Sequence, residues 1–182
     1  MLINFCAQCS ARVTLKIPPG DQLPRHVCDS CGAIHYQNPK IVAGCLIEWE
    51  DKIVLCKRAI DPRLGYWTLP AGFMEIGESV EHAAAREAYE EAEARVEIGT
   101  MLSMISVPHI GQVHIFFHAK LMGGSIGVGA ESLEVGFYRE TEIPWRELAF
   151  PTVKQTLQRY YADLHAGVRR THVFDIAPPK SE

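Results

Sequence analysis

Cys6, Cys9, Cys28 and Cys31 form two Cys-x2-Cys pairs separated by eighteen residues, and this spacing restricts how the first 36 residues can fold. That segment has little apolar periodicity with which to build a core. The stretch "IPPGDQLPRHVC" is turn-rich, with three prolines and a glycine. A segment this small needs a staple, and four thiolates at this spacing suit a tetrahedral zinc ion. Gly32, directly after Cys31, fits a tight knuckle because a positive φ costs glycine little. Residues 1–38 are therefore expected to be a zinc ribbon holding a structural Zn²⁺, with "YQNPK" as its linker. His26 and His35 flank the cysteines and read as surface or supporting groups, since four thiolates fill the coordination sphere. Cys45 and Cys56 sit singly in apolar runs and read as buried packing thiols.

The pattern changes at Ile41. "IVAGCLIEWE" and "KIVLCKRA" read as two strands joined by a turn at Glu50-Asp51. "DPRLGYWTLPAG" reads as loop, and residues 79–93 as a helix with Ser79 as its N-cap. "RVEIGTMLSMISVP", "QVHIFFHAKLM" and "LEVGFYRE" read as strands, "GGSIGVGAES" as a mobile loop, and "PTVKQTLQRYYADLHAG" as an amphipathic helix ending at Gly167. Interspersed strands and helices predict an α/β sandwich with a mixed sheet over residues 39–166, followed by a C-terminal tail at 167–182. With 47% apolar and 22% charged residues the chain can build a real core. A net charge of −4, and first 40 residues in which Arg12, Lys16, Arg25 and Lys40 face Asp21 and Asp29, do not favour nucleic acid. No apolar run approaches the roughly 18–20 residues of a membrane helix, and the N-terminus lacks a secretory pattern. These features predict a cytoplasmic protein, where disulfides would be unusual.

"GFMEIGESVEHAAAREAYEEAE", residues 72–93, holds seven glutamates. Glu87, Glu90 and Glu91 stand at i, i+3 and i+4, so their carboxylates project from one patch of the helix, while Val80, Ala84 and Ala88 form an apolar stripe beside them. By spacing alone this is either a solvated face or a site for a hard divalent cation whose coordination a phosphate-bearing ligand completes. The residues around the helix narrow the choice. Gly72, five residues, Glu78, seven residues and then "REAYEE" resemble the Nudix hydrolase signature G-x5-E-x7-R-E-U-x-E-E-x-G-U, and "GYWTLPAG" ahead of it is similar too. The resemblance spans residues 39–165. It departs from the pattern at Glu93, where the family usually has glycine, and at Ala88 and Ala94, which occupy the aliphatic positions.

The resemblance implies that Glu87, Glu90 and Glu91 bind Mg²⁺ or Mn²⁺, that Glu78 supports the loop and reaches a metal through water, and that Arg86 orients the glutamates. The reaction implied is attack of water on a phosphorus of a nucleoside diphosphate derivative. Glu90 and Glu134 are the candidates for the base that takes the water's proton, with Glu131 as a neighbour able to substitute. Arg58 and Lys57 could meet phosphate; Tyr66 and Trp67 could stack on a base or fill the core; Gly72 and Phe73 lie beside the site as substrate-binding candidates, and Phe73 could touch a ring. His114 and His118 share one face of a strand and read as cleft or structural groups rather than metal ligands. A ribbon, "YQNPK" and a Nudix domain together resemble two groups. The NADH pyrophosphatases carry S-Q-P-W-P-F-P-x-S, which residues 106–118, "SVPHIGQVHIFFH", do not match. The ADP-ribose and FAD pyrophosphatases share patterns similar to "HYQNPKIVAGCLIE", "LCKR", "GYWTLPAG" and "ESLE". The expectation is hydrolysis of ADP-ribose or FAD to AMP plus ribose 5-phosphate or FMN, by a homodimer acting on a small-molecule nucleotide. The alternatives are NADH cleavage and, from another class, a zinc-ribbon nucleic-acid-binding or nucleotide-sensing regulator.

Overall fold

A computed structural model of the chain describes residues 3–178, and the chain divides into two compact units, Met1–Asn38 and Pro39–Glu182. In the first, β1 (Val13–Lys16), β2 (Arg25–Cys28) and β3 (Ile34–His35) form an antiparallel sheet in that order. Among the described residues its buried apolar side chains are few: Cys6, Pro18, Val27 and Cys28. Hydrophobic burial alone is too small to hold such a unit. The cysteine knuckles are closed by Ser10 N–H donating to the Cys6 carbonyl and Gly32 N–H donating to that of Cys28.

The second unit contains β4 (Lys40–Trp49), β5 (Lys52–Arg58), β6 (Trp67–Thr68), β7 (Ala71–Phe73), α1 (Val80–Ala92), β8 (Val96–Val107), β9 (Gln112–Leu121), β10 (Ser132–Tyr138), α2 (Pro151–His165) and β11 (His172–Asp175). Its sheet runs β10-β5-β4-β9-β8-β11, with β6 on β5 and β7 on β4. The β4–β9 and β8–β11 pairs are parallel and the rest antiparallel, so the sheet is mixed, as expected. The apolar run of β4 is that of a central strand covered on both faces. Ala43, Cys45 and Ile47 cluster with Ala83, Ala84, Ala88 and Ala92 of α1. Leu46 clusters on the other side with Val153, Leu157 and Tyr160 of α2. Alanines along α1 let its backbone lie close to the sheet, which brings its carboxylates against β7.

Three segments differ from the sequence reading. The loop at 61–72 contains β6 and β7. The expected tail contributes β11, held by Arg170 N–H and His172 on the Asp163 carboxylate (3.1 and 2.9 Å) and by Thr171 Oγ1 on the Met101 carbonyl (2.8 Å). The glycine-rich loop is not free: Gly127 N–H donates to the Ala92 carbonyl (2.8 Å) and Gly129 N–H to that of Glu91 (3.2 Å). These amides satisfy carbonyls that the C-terminus of α1 leaves unpaired. Any Cβ at Gly129 would collide with the Glu90 carbonyl, so only glycine permits this approach.

Glu93 ends α1 in the left-handed conformation (φ 48°), with its N–H on the Tyr89 carbonyl at 2.8 Å. This is the helix-ending geometry glycine usually supplies, which accounts for the glycine in the family pattern at this position. A residue with a Cβ adopts it at a cost of about 1 kcal/mol. Glu93→Gly is therefore expected to stabilise the protein by about 1 kcal/mol against urea, with activity unchanged; an unaltered midpoint would count against strain at this position.

Candidate functional site

Arg86 is the hub of the glutamate cluster. Its Nε and Nη2 donate to the two oxygens of Glu78 (2.6 and 3.0 Å), and its Nη1 donates to Glu87 (2.7 Å) and Glu90 (2.8 Å). Nη2 also reaches the Phe73 carbonyl at 3.1 Å. One guanidinium thus ties β7 and the following loop to the helix, using the planar fork that lysine lacks. Glu78 in turn accepts from the Glu75 N–H (3.0 Å), and Ser79 Oγ caps the helix by accepting from the His82 N–H (3.2 Å).

The carboxylates differ in environment. Arg86, followed by the Glu75 N–H, holds Glu78 down to about 2. Burial pushes Glu87 up, against the opposing pull of Arg86. Glu91, buried beside the alanine stripe, accepts from the Ala71 N–H at 3.3 Å, and burial followed by the charge of Glu87 pushes it up to about 8. Glu90 is half exposed. A Cβ at Gly72 would collide with the Glu87 carboxylate, so any larger residue there would push that carboxylate from its position. Glu87 and Glu91 are buried and Glu90 is half exposed, and all three offer oxygen donors, the ligand type a hard divalent ion takes. They do not converge into a closed cage, which suits an ion that keeps waters and takes phosphate oxygens.

The thiolate site is closed by comparison. The four sulfurs lie within 4.8 Å of one another, with Cys6···Cys31 at 3.7 Å and Cys9···Cys28 at 3.4 Å. Tetrahedral Zn–S bonds of about 2.3 Å place sulfurs about 3.8 Å apart, so the cluster fits zinc. Burial pushes the Cys6 thiol up, but the N–H groups of Gln8 and Cys9 and the His35 ring outweigh it and hold the thiol at about 6. His35 Nε2 lies 3.3 Å from Cys6 Sγ, so it supports the cluster rather than sitting free.

The other residues singled out from the sequence are dispersed. Trp67 is buried, with its ring edge-on to Tyr138 at 5.1 Å, and belongs to the core rather than to a stacking surface. Tyr66 is exposed beneath the Arg63 guanidinium. Arg58 donates to the Pro62 carbonyl (2.9 Å) and lies over Phe150, and its charge draws Glu91 downward. Phe73 is half exposed beneath Lys40. Glu134 is exposed and pairs with Lys57 Nζ at 3.7 Å. Glu131 is the loop carboxylate whose charge acts on both Glu87 and Glu91. Glu131 lies just before β10 and Glu134 within it, beside an irregular register between Ser132 and Glu134. Two cavities of about 200 and 280 Å³ are lined largely by α2, on the other side of the sheet from the glutamates.

Residues 4–37 match the family model "Nudix N-terminal", and residues 38–160 match the NUDIX domain. The chain is a Nudix hydrolase. A Nudix hydrolase from Nitrosomonas europaea, known from its crystal structure, is 50% identical with a TM-score of 0.92, covering 96% of this chain and 99% of that one. The ADP-ribose pyrophosphatase of Methanocaldococcus jannaschii is 33% identical over 121 residues, 63% of this chain and 69% of that protein. The NAD-capped RNA hydrolase NudC of Stutzerimonas stutzeri is 27% identical over 169 residues, which is 91% of this chain but 57% of NudC. The chain thus spans little more than half the length of that relative.

Within this Nudix site Gly72 leaves room for the Glu87 carboxylate that a Cβ would take. Gly72→Ala is expected to lower kcat at least a hundredfold by displacing Glu87, while urea unfolding shifts far less. A fully active variant would show that the Glu87 position does not matter.

Proposed function

We propose that this Nudix hydrolase cleaves the pyrophosphate of a nucleoside diphosphate derivative, ADP-ribose or FAD, releasing AMP plus ribose 5-phosphate or FMN. The observation that carries the reading is the Arg86-centred cluster, which gathers Glu78, Glu87 and Glu90 from a loop and a helix and leaves Glu91 beside them. Glu87, Glu90 and Glu91 hold Mg²⁺ or Mn²⁺. Bound there, the cation neutralises the pyrophosphate and lowers the pKa of water. Arg86 keeps the carboxylates oriented through the reaction, and Glu78 fixes Arg86. Glu90 or Glu131 accepts the proton of the attacking water. Glu131 is favoured over Glu134 because its charge acts on the cluster, whereas Glu134 is engaged with Lys57. Arg58 supplies positive charge to the phosphates.

The likeness to the M. jannaschii ADP-ribose pyrophosphatase supports the substrate class. A second reading, cleavage of NADH or an NAD-linked end, is supported by the resemblance to NudC across both units. The four ribbon cysteines support a structural zinc and, being thiols, a cytoplasmic setting. Phe5, Leu15, Ile17 and Tyr36 are exposed on the ribbon and support a homodimer. No helix is long and apolar enough to cross a membrane among the described residues.

Assay of ADP-ribose, FAD and NADH with Mg²⁺ or Mn²⁺, with products identified, is expected to show AMP as a product and the highest kcat/KM for ADP-ribose or FAD. Glu90→Gln should lower turnover by several orders of magnitude without unfolding the chain, and unchanged turnover would sink the assignment. Because Glu91 holds its proton up to about pH 8 until a cation displaces it, Mg²⁺ affinity should climb between pH 6 and 8; flat affinity over that range would contradict it. Elemental analysis should find one tightly bound zinc per chain.

A further inference from the structure

The glutamate cluster lies on the α1 side of the sheet, and a second group of side chains, around Phe73, lies on the opposite face. Cross-strand register places Phe73 opposite Val42, Val42 beside His114, and Lys40 beside Gln112. Directly paired residues point to the same face of a sheet, so these five share one face. Two contacts agree with this: Lys40 Nζ lies 5.0 Å from the Phe73 ring centroid, and His114 Nε2 lies 2.8 Å from Gln112 Oε1. Phe73 is 49% exposed, and Val42, Gln112 and His114 are half-buried, so the group forms an open shelf with Val42 as its floor. Its connection to the cluster is covalent and short. Gly72 faces Glu87, and the next residue, Phe73, turns to the other face while its carbonyl receives Arg86.

The hydrogen-bonding capacity of the shelf follows from its chemistry. An amide oxygen only accepts, so the 2.8 Å contact puts the His114 proton on Nε2 and leaves Nδ1 with a free lone pair. The Gln112 amide nitrogen keeps its two donors. Burial holds His114 down to about 4, so it is neutral at pH 7 and its Nδ1 accepts. The shelf thus offers an exposed aromatic ring, one acceptor and one donor on neighbouring residues, and an exposed cation, Lys40.

We infer that this shelf is the subsite for the adenine ring of the substrate, with Phe73 stacking on the base, Gln112 donating to its N1, His114 Nδ1 accepting from its N6 amino group, and Lys40 leaving the Phe73 face to meet phosphate. The inference rests on the proposed cleavage of an adenine-bearing diphosphate and specifies what selects it. A base-free pyrophosphate cannot use the ring, the donor or the acceptor.

The test has two arms. In the first, binding of AMP and of ribose 5-phosphate is titrated calorimetrically to wild type, Phe73→Ala and Gln112→Ala with no divalent cation added, so the result does not depend on turnover. AMP is expected to bind saturably and to weaken about tenfold or more in each variant, in line with the worth of base–aromatic stacking; ribose 5-phosphate should bind all three proteins alike. In the second, KM and kcat are measured for ADP-ribose and for base-free 5-phosphoribosyl pyrophosphate. The variants should raise KM for ADP-ribose about tenfold with kcat retained, and leave the base-free substrate unchanged. Variants that bind AMP as wild type does, or that shift both substrates equally, would overturn the subsite. AMP binding of the expected pattern with no hydrolysis of any adenine-bearing diphosphate would instead overturn the proposed reaction and leave the shelf standing.

Discussion

The glutamate cluster is organised by one guanidinium. Arg86 donates to three carboxylates and a backbone carbonyl, and those four acceptors come from β7, the following loop and α1. Without it, Glu78, Glu87 and Glu90 would face one another with no cation between them, and like charges at helical spacing repel. With it, each carboxylate has a defined orientation before any metal arrives. That is preorganisation in the electrostatic sense: the donors are fixed by the fold, so little reorganisation is left for the reaction. Arginine suits this role because its fixed fork serves several acceptors at once.

The clamp works only because backbone and helix approach closely, and small residues secure that approach at three places. The alanines of α1 bring the helix down on the sheet, Gly72 gives Glu87 room against β7, and Gly129 lets the 123–129 loop cap the helix end. Each lies within one helix length of the glutamates. Close packing transmits displacement, so a methyl group added at Gly72 or Gly129 would reach the carboxylates even though neither residue carries a functional group.

Much of this was legible because it is local. Ser79 as cap, the i, i+3, i+4 glutamates, the Arg86–Glu90 pairing and the two cysteine knuckles are all set by spacing along the chain. What was missed depends on pairing between distant segments. "GYW" gives no sign that Trp67 is drawn inward, because its N–H and C=O bond to Glu147 and Ala149, about eighty residues away. The four residues of β11 are too short to signal a strand, and only their pairing with β8 makes one. Glu131 and Glu134 look interchangeable in "ESLE"; only the pairing of β10 with distant β5 sets Glu134 beside Lys57, while Glu131, outside the strand, acts on Glu87 and Glu91. Glu93 looked like an unexplained departure until its positive φ showed that the position demands a helix-ending geometry rather than a charge.

The alternation of a strand also explains how one short element can serve two tasks. β7 has three residues, and neighbouring side chains on a strand point to opposite faces. Gly72 therefore belongs to the side where the carboxylates and α1 lie, and Phe73 to the side where Lys40, Gln112 and His114 lie. A substrate with a pyrophosphate at one end of a nucleoside has the same two-part character: an anionic centre that needs cations and a flat ring that needs stacking. Placing the two subsites on adjacent residues keeps them at a fixed separation set by the backbone. Arg86 strengthens this link, since the same guanidinium that orients Glu87 holds the carbonyl of Phe73. The proposed base subsite and the Arg86 clamp thus meet at the Phe73 backbone while using different atoms of that residue, and a substrate lacking the ring forgoes binding energy that the reacting phosphates alone do not supply.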